Sequence, residues 1–280
     1  MLEIKDYSLY LVISEECGLD RNALEIARLA ISGGVDIIQM REKDKPKNEL
    51  VKLGSELSKL CKENRVTFIV NDDPLIAKEC GADGVHMGQE DMRKYSITET
   101  RNIIGKEKMI GASTHSLPEL IKANEEKNID YIAYGPIFPT KTKNYFLGDK
   151  DIQEAVRIAK KPLFFIGGIN LSNVDIILEK GVKNIAMIRD ILQAEDITAR
   201  TRSFKQKLTR KSGKMIIKIN GKDEVIETKI NLAELITNKK LSPERIVIEH
   251  NLRVTRKEEW GKINLNEGDN IEIISFMGGG

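Results

Sequence analysis

The strongest constraint on this chain is a rhythm. Through the first two hundred residues, short apolar runs alternate with amphipathic stretches of helix length. The runs are SLYLVIS (Ser8–Ser14), DIIQM (Asp36–Met40), TFIVN (Thr67–Asn71), DGVHM (Asp83–Met87), MIGAS (Met109–Ser113), YIAYG (Tyr131–Gly135), LFFIG (Leu163–Gly167) and NIAMI (Asn184–Ile188). One intervening stretch, NALEIARLAISGG, carries Leu24, Ala27, Leu29 and Ala30 at helical spacing. Strands that alternate with helices build parallel βα units. Eight such units in about 200 residues suit a closed (β/α)₈ TIM barrel better than an open doubly wound sheet. The predicted class is α/β.

Near Lys207 the rhythm stops. This predicts one domain over residues 1–207, a linker over 208–214 and a second domain over 215–280. The stretch KLTRKSGK (Lys207–Lys214) is basic and polar and contains a glycine, as linkers do. Beyond it, MIIKINGKDEVIE places apolar runs on both sides of Asn220-Gly221, a strong hairpin signal. Asn231 is the predicted N-cap of a short helix, LAELITNKK. RIVIEHNLRV and NIEIISFM then complete a strand–strand–helix–strand–strand order. That order predicts a small α+β domain, one sheet covered by one helix.

Composition removes several classes of function. The 45 basic and 43 acidic residues leave a formal net charge of +2, so no electrostatic feature points to nucleic acid or to an anionic membrane. No apolar run approaches the ~18–20 residues of a membrane span. The opening MLEIKDYSLYLV lacks the basic-then-apolar pattern of a secretory signal. Cys17, Cys61 and Cys80 are odd in number and lack CxxC spacing, which reads as reduced thiols of a cytoplasmic protein.

In a βα barrel, chemistry collects at the C-terminal ends of the strands. Polar residues fall there in this chain: Gln39, Arg41 and Lys43 after strand 2, Asn71-Asp72-Asp73 after strand 3, and Gln89-Glu90-Asp91 after strand 4. Ser113-Thr114-His115 close strand 5, Thr140, Thr142 and Lys143 follow strand 6, and Gly167-Gly168 end strand 7. Arg41, Lys43 and Lys143 offer cationic donors to a phosphorylated ligand. Asp72 and Asp91 are hard oxygen ligands, and two carboxylates plus substrate phosphates are what Mg²⁺ usually takes. Gly167-Gly168 would let backbone N–H groups approach a second phosphate. The set predicts a magnesium-bound diphosphate beside a separate monophosphate. Asp73 and Glu90 read as solvated neighbours, and His86 and His115 as structural residues.

These stretches also resemble a known family. IIQMREKD, IVNDD, ADGVHMGQEDM, IGASTHS, YGPIFPTKTK and FFIGGIN are similar, in order, to thiamine phosphate synthases, over about residues 7–200. That family is a TIM barrel that joins hydroxymethylpyrimidine diphosphate to thiazole phosphate and releases pyrophosphate. The resemblance implies that Gln39, Arg41, Lys43 and Asn71 hold the pyrimidine diphosphate and that Asp72 and Asp91 bind Mg²⁺. It implies that Ser113 contacts the pyrophosphate or the pyrimidine and that Lys143 binds pyrophosphate. Arg41, Lys43 and Lys143 would be the catalytic cations, and Thr140, Thr142 and Gly168 would hold the thiazole phosphate. One motif departs. Where the family carries a small pair such as Ser-Ala after strand 8, IAMIRDIL has Arg189-Asp190. Arg189 either binds the phosphate or turns away to pair with Asp190.

Residues 215–280 resemble the sulfur carrier of thiazole synthesis, a ubiquitin-like β-grasp protein. The pieces are MIIKINGK, LAELI, VIEHNLRVTRKEEW, LNEGDNIEII and the closing glycines of SFMGGG. The resemblance implies that the Gly280 carboxylate is adenylated by an activating enzyme, becomes a thiocarboxylate, and passes its sulfur to thiazole synthase. A slim tail suits that role, because glycine has no Cβ to obstruct an active site. The chain therefore reads as a thiamine-pathway fusion. A thiazole tautomerase-like barrel, or a non-catalytic barrel, joined to the carrier is the alternative. The complete set Arg41, Lys43, Asn71, Asp72, Asp91 and Lys143 favours the synthase.

Overall fold

A computed structural model describes residues 4–141, 143–211 and 213–275. The chain divides into two compact units, Met1–Leu208 and Thr209–Gly280. In the first, all eight predicted strands form: β1 (Leu9–Ile13), β2 (Ile37–Met40), β3 (Thr67–Asn71), β4 (Gly84–Met87), β5 (Met109–Thr114), β6 (Tyr131–Tyr134), β7 (Leu163–Ile166) and β8 (Asn184–Met187). Each pairs in parallel with the next, and β8 pairs with β1 to close the barrel.

Both faces of a barrel strand are covered, so the strands read as continuous apolar runs. Every residue of β1, β2 and β6 is buried. The two-residue repeat then divides them. Tyr10, Val12, Ile37, Ile69, Met109, Tyr131, Phe164 and Ala186 form one cluster, the filling of the barrel. Leu9, Leu11, Ile13, Ile38, Phe68 and Ile110 belong to the layer against the helices. Inside, Phe164 meets the rings of Tyr10 and Tyr131 edge-on, at 5.2 and 5.7 Å between centroids. Gly111, opposite Tyr131 in the β5–β6 register, makes room for that ring, since any Cβ there would overlap it.

The outer helices obey local rules. The helix Ala23–Ser32 starts at Asn22, whose side chain accepts from Glu25 N–H at 2.9 Å. Its buried stripe is Ala23, Ile26, Ala27 and Ala30, with the expected Leu24 and Leu29 half-buried at its margin. The predicted linker over 208–214 is mostly regular structure. The helix Ile197–Lys211 runs through it, and β9 starts at Lys214. Phe204 and Leu208, one turn apart, are fully buried, so apolar packing overrides the basic, glycine-bearing composition.

Among its described residues, the second unit is a five-stranded sheet with one α-helix and two short 3-10 helices. β9 (Lys214–Ile219) and β10 (Lys222–Glu227) form the predicted hairpin. Asn220 and Gly221 both have positive φ, 48° and 75°, as the tight turn requires. The helix Leu232–Asn238 begins with a reciprocal cap between Asn231 and Glu234. RIVIEHNLRV, read as a single strand, is two: β11 (Ile246–His250) and β12 (Arg253–Thr255). Asn251 and Leu252 turn the chain between them with φ of 49° and 67°. β13 (Asn270–Ser275) completes the order β10–β9–β13–β11–β12, parallel to β9 and antiparallel to β11. Met215, Ile217, Leu235, Ile248, Trp260 and Ile271 make the core. This is the expected β-grasp arrangement. Asp269 holds the lower corner, accepting from Asn251 Nδ2 at 2.8 Å and Asn266 N–H at 2.9 Å and meeting His250 Nε2 at 2.8 Å. The expected free tail, Gly278–Gly280, lies outside the described residues. Among the described residues, no helix is long and apolar enough to cross a membrane.

Candidate active site

The C-terminal ends of the barrel strands open on one cavity of about 980 Å³. Gln39, Arg41 and Lys43 line it from the β2 side, Asn71, Asp72 and Asp91 from β3 and β4, and Ser113 from β5. Thr140 and Lys143 reach it from the loop after β6, and Gly168 from the end of β7. The structure thus gathers these ten residues around one space. Thr142 and Gly280 lie outside the described residues.

The acidic wall is built with local strain. Asp72 adopts φ 66°, a left-handed conformation uncommon for a non-glycine residue, while its N–H donates to the His86 carbonyl at 2.8 Å. Asn71 Nδ2 donates to Asp72 Oδ2. Both carboxylates lean over Gly88, where a Cβ would stand 2.6 Å from Asp91 Oδ2 and 3.7 Å from Asp72 Oδ1. Burial pushes the Asp72 carboxyl up to about 7, and the charge of Asp91 and a hydrogen bond with it push in the same direction. Two acidic groups crowded in this way are stabilised by a cation between them. Among the described residues, no three His, Cys, Asp or Glu side chains gather as a complete protein cage. The pair fits an ion that takes two carboxylates and completes its shell with phosphate and water oxygens.

The opposite wall depends on glycine. Gly167 and Gly168 have φ of 97° and 66°, and a Cβ on Gly168 would collide with the carbonyl oxygens of Phe138 and Pro139. The β7 loop therefore lies directly against the loop that carries Thr140. Asn173 Nδ2 fixes the turn by donating to the Gly168 carbonyl at 2.9 Å. Beyond β8, Arg189 and Asp190 both line the cavity. Asp190 has a partner that the sequence did not suggest, Arg200, whose Nη1 donates to it at 2.8 Å.

The cavity floor holds residues that sequence reasoning passed over. Gln39 Nε2 donates to the Tyr10 hydroxyl at 2.8 Å, which meets the Tyr131 hydroxyl at 3.0 Å. Tyr131 reaches His86 Nδ1 at 3.2 Å, and His86 Nε2 meets Ser113 Oγ at 2.9 Å. Burial pushes His86 down to about 4, so it is neutral at physiological pH. Burial also raises both tyrosine hydroxyls well above their ordinary range. The signal was present in the strand pattern, since Tyr10 and Tyr131 fall at inward positions. Of the other residues set aside, Glu90 lines the cavity, while Asp73 and His115 make local contacts. Asp73 caps the helix Pro74–Glu79 by accepting from Leu75 and Ile76 N–H, and His115 Nδ1 lies 2.6 Å from the Gly135 carbonyl.

The chain is similar to known proteins over both of its units. Residues 9–191 match the family described as thiamine monophosphate synthase, and residues 202–280 match the ThiS family. Thiamine-phosphate synthase of Lawsonia intracellularis is 37% identical over 210 residues, 72% of this chain and 92% of that protein. The enzyme of Halalkalibacterium halodurans is 39% identical over 197 residues, 69% of this chain and 92% of the relative. Among solved structures, thiamine phosphate pyrophosphorylase from Pyrococcus furiosus superposes with a TM-score of 0.67 at 33% identity, covering 74% of this chain and 98% of that one.

Proposed function

Since the chain belongs to the thiamine monophosphate synthase family and carries a ThiS-family domain after the barrel in sequence, we propose how one site and one tail divide two steps of thiamine synthesis. The barrel is a thiamine-phosphate synthase. Its substrates are hydroxymethylpyrimidine diphosphate and thiazole phosphate. Gln39 and Asn71 hold the pyrimidine side, with Ser113 at the junction of ring and diphosphate. Arg41, Lys43 and Lys143 surround the diphosphate. Thr140, Thr142 and Gly168 hold the thiazole phosphate, and Arg189, at the same end of the cavity, adds positive charge there.

The chemistry suits these groups. The aminopyrimidine donates electron density as the methylene C–O bond breaks, and the bonding pair leaves with pyrophosphate. The thiazole nitrogen then forms the new C–N bond with its lone pair. The protein contributes alignment and fixed positive charge along the leaving group. Asp72 and Asp91 would hold Mg²⁺, which when bound neutralises charge on the departing pyrophosphate. The observation that carries this reading is the meeting of the two crowded carboxylates and three cationic side chains in one cavity.

In the second domain, the Gly280 carboxylate is adenylated by an activating enzyme, sulfur replaces one of its oxygens, and thiazole synthase receives the sulfur. The support is the ThiS match together with the β-grasp sheet. Two measurements test the pair. Purified protein with both substrates and Mg²⁺ should release thiamine phosphate and pyrophosphate, and chelation of the metal should stop it. A folded sample that forms no product overturns the reading of the barrel. Intact-mass spectrometry after incubation with activating enzyme, ATP and a sulfur donor should show sulfur in place of oxygen. An unchanged mass beside a reacting control carrier overturns the reading of the tail.

A further inference from the structure

The floor of the cavity does more than fill the barrel. Five side chains from five strands form an unbroken series, Gln39–Tyr10–Tyr131–His86–Ser113, with every step between 2.8 and 3.2 Å. Four of them line the cavity, and Tyr131 does not. Tyr131 is 1% exposed, and its ring occupies space that exists only because residue 111 is glycine. A hydroxyl buried this deeply in an apolar filling is costly unless it is fully bonded.

The series couples one side of the site to the other. Gln39 Nε2 donates to the Tyr10 hydroxyl, the two tyrosine hydroxyls meet, and Tyr131 and Ser113 sit on the two nitrogens of one imidazole, Nδ1 and Nε2 of His86. The contact of Tyr131 with Nδ1 fixes the plane of that ring, and the ring plane sets where Nε2 meets Ser113 Oγ.

We infer that this relay positions the Ser113 hydroxyl against the bound pyrimidine substrate, which makes Tyr131 and His86 positioning residues for the synthase reaction. Tyr131 acts only through the relay, at a distance from any ligand. The inference rests on the synthase reading above and extends it to His86 and to Tyr131, which does not line the cavity.

The test is a double substitution in the full-length chain, read as steady-state kinetics of thiamine phosphate formation. Tyr131→Phe removes one oxygen and keeps the ring. It should lower kcat about tenfold, the scale of one buried hydrogen bond, with KM little changed. In a Ser113→Ala background the same substitution should change kcat by less than about twofold, because the group it orients is gone. An equal loss in both backgrounds means that Tyr131 only supports the fold, and no loss in either means that there is no relay; each result overturns the inference. Should Tyr131→Phe fail to fold, Tyr10→Phe breaks the next link and must show the same dependence on Ser113. Absence of product from the unsubstituted protein would instead reject the synthase reading, so the two failures are distinct.

Discussion

The two units place their chemistry in opposite ways. The barrel turns it inward: polar side chains interrupt a filling of Tyr, Phe, Ile and Met and converge on a concave site. The β-grasp unit keeps an apolar core and, in the proposed reading, works through backbone atoms at the chain terminus. An inward site depends on many residues held in register, and mistakes in packing reach it. A terminal site depends on the fold only as an anchor. One chain can therefore carry both with little shared machinery.

The sharpest way to break this contrast is to damage each site and read both activities. Asp72→Ala should lower thiamine phosphate formation by about 10³-fold, since it removes one of the two carboxylates proposed to hold Mg²⁺. Thiocarboxylate formation should be unchanged by mass spectrometry. Deleting Gly279-Gly280 should give the reverse pattern. If both activities fall together in either variant, the separation of the units is wrong.

A core substitution gives the next largest effect. Leu235 is 2% exposed on the α-helix Leu232–Asn238, which packs into the β-grasp core. Leu235→Ala should cost about 2–5 kcal/mol, a large share of what so small a unit possesses. Urea unfolding followed by Trp260 fluorescence should report early loss of that unit, while synthase activity persists to higher urea. Coincident loss would mean that the units unfold as one.

The smallest effect concerns acid. Burial alone would raise the Asp269 carboxyl, but hydrogen bonds from Asn251 and His250 and from Asn266 N–H outweigh it, and the group sits below its ordinary value. A depressed carboxyl contributes stability above its unfolded value, near 4, and that contribution is lost as pH falls through the lower folded value. Asp269→Asn should cost about 1 kcal/mol at neutral pH and flatten the acid limb below about pH 4. An unchanged limb in urea melts across that range would show that the corner carries no linkage.

Much of this was legible because buried parallel strands announce themselves as apolar runs, and a barrel puts polar residues after those runs at a common rim. Gln39, Arg41, Asp72, Asp91 and Ser113 were readable for that reason. Position along a strand also sets which way a side chain faces, yet Tyr10 and Tyr131 were absorbed into the apolar pattern, because a ring in an apolar run looks like core until its hydroxyl finds a partner. His86 was set aside for want of metal-ligand spacing, though its partners are hydroxyls from other strands. The two misread segments have local causes. Asn251-Leu252 turns without a glycine, and the Lys207–Lys214 stretch hides two buried positions, Leu208 and Thr209, among basic ones.

The place of β13 in its sheet has a mechanical consequence. The strand from which the tail departs is flanked on both sides, and it runs parallel to β9, the strand with which the unit begins. Tension between the chain before Lys214 and the chain after Ser275 would pull these neighbours in opposite directions along their length. Their backbone bonds would be loaded in shear, all at once, and not peeled one by one. In the proposed reading, an enzyme that draws the tail into its active site would thus pull on a strand bonded on both sides.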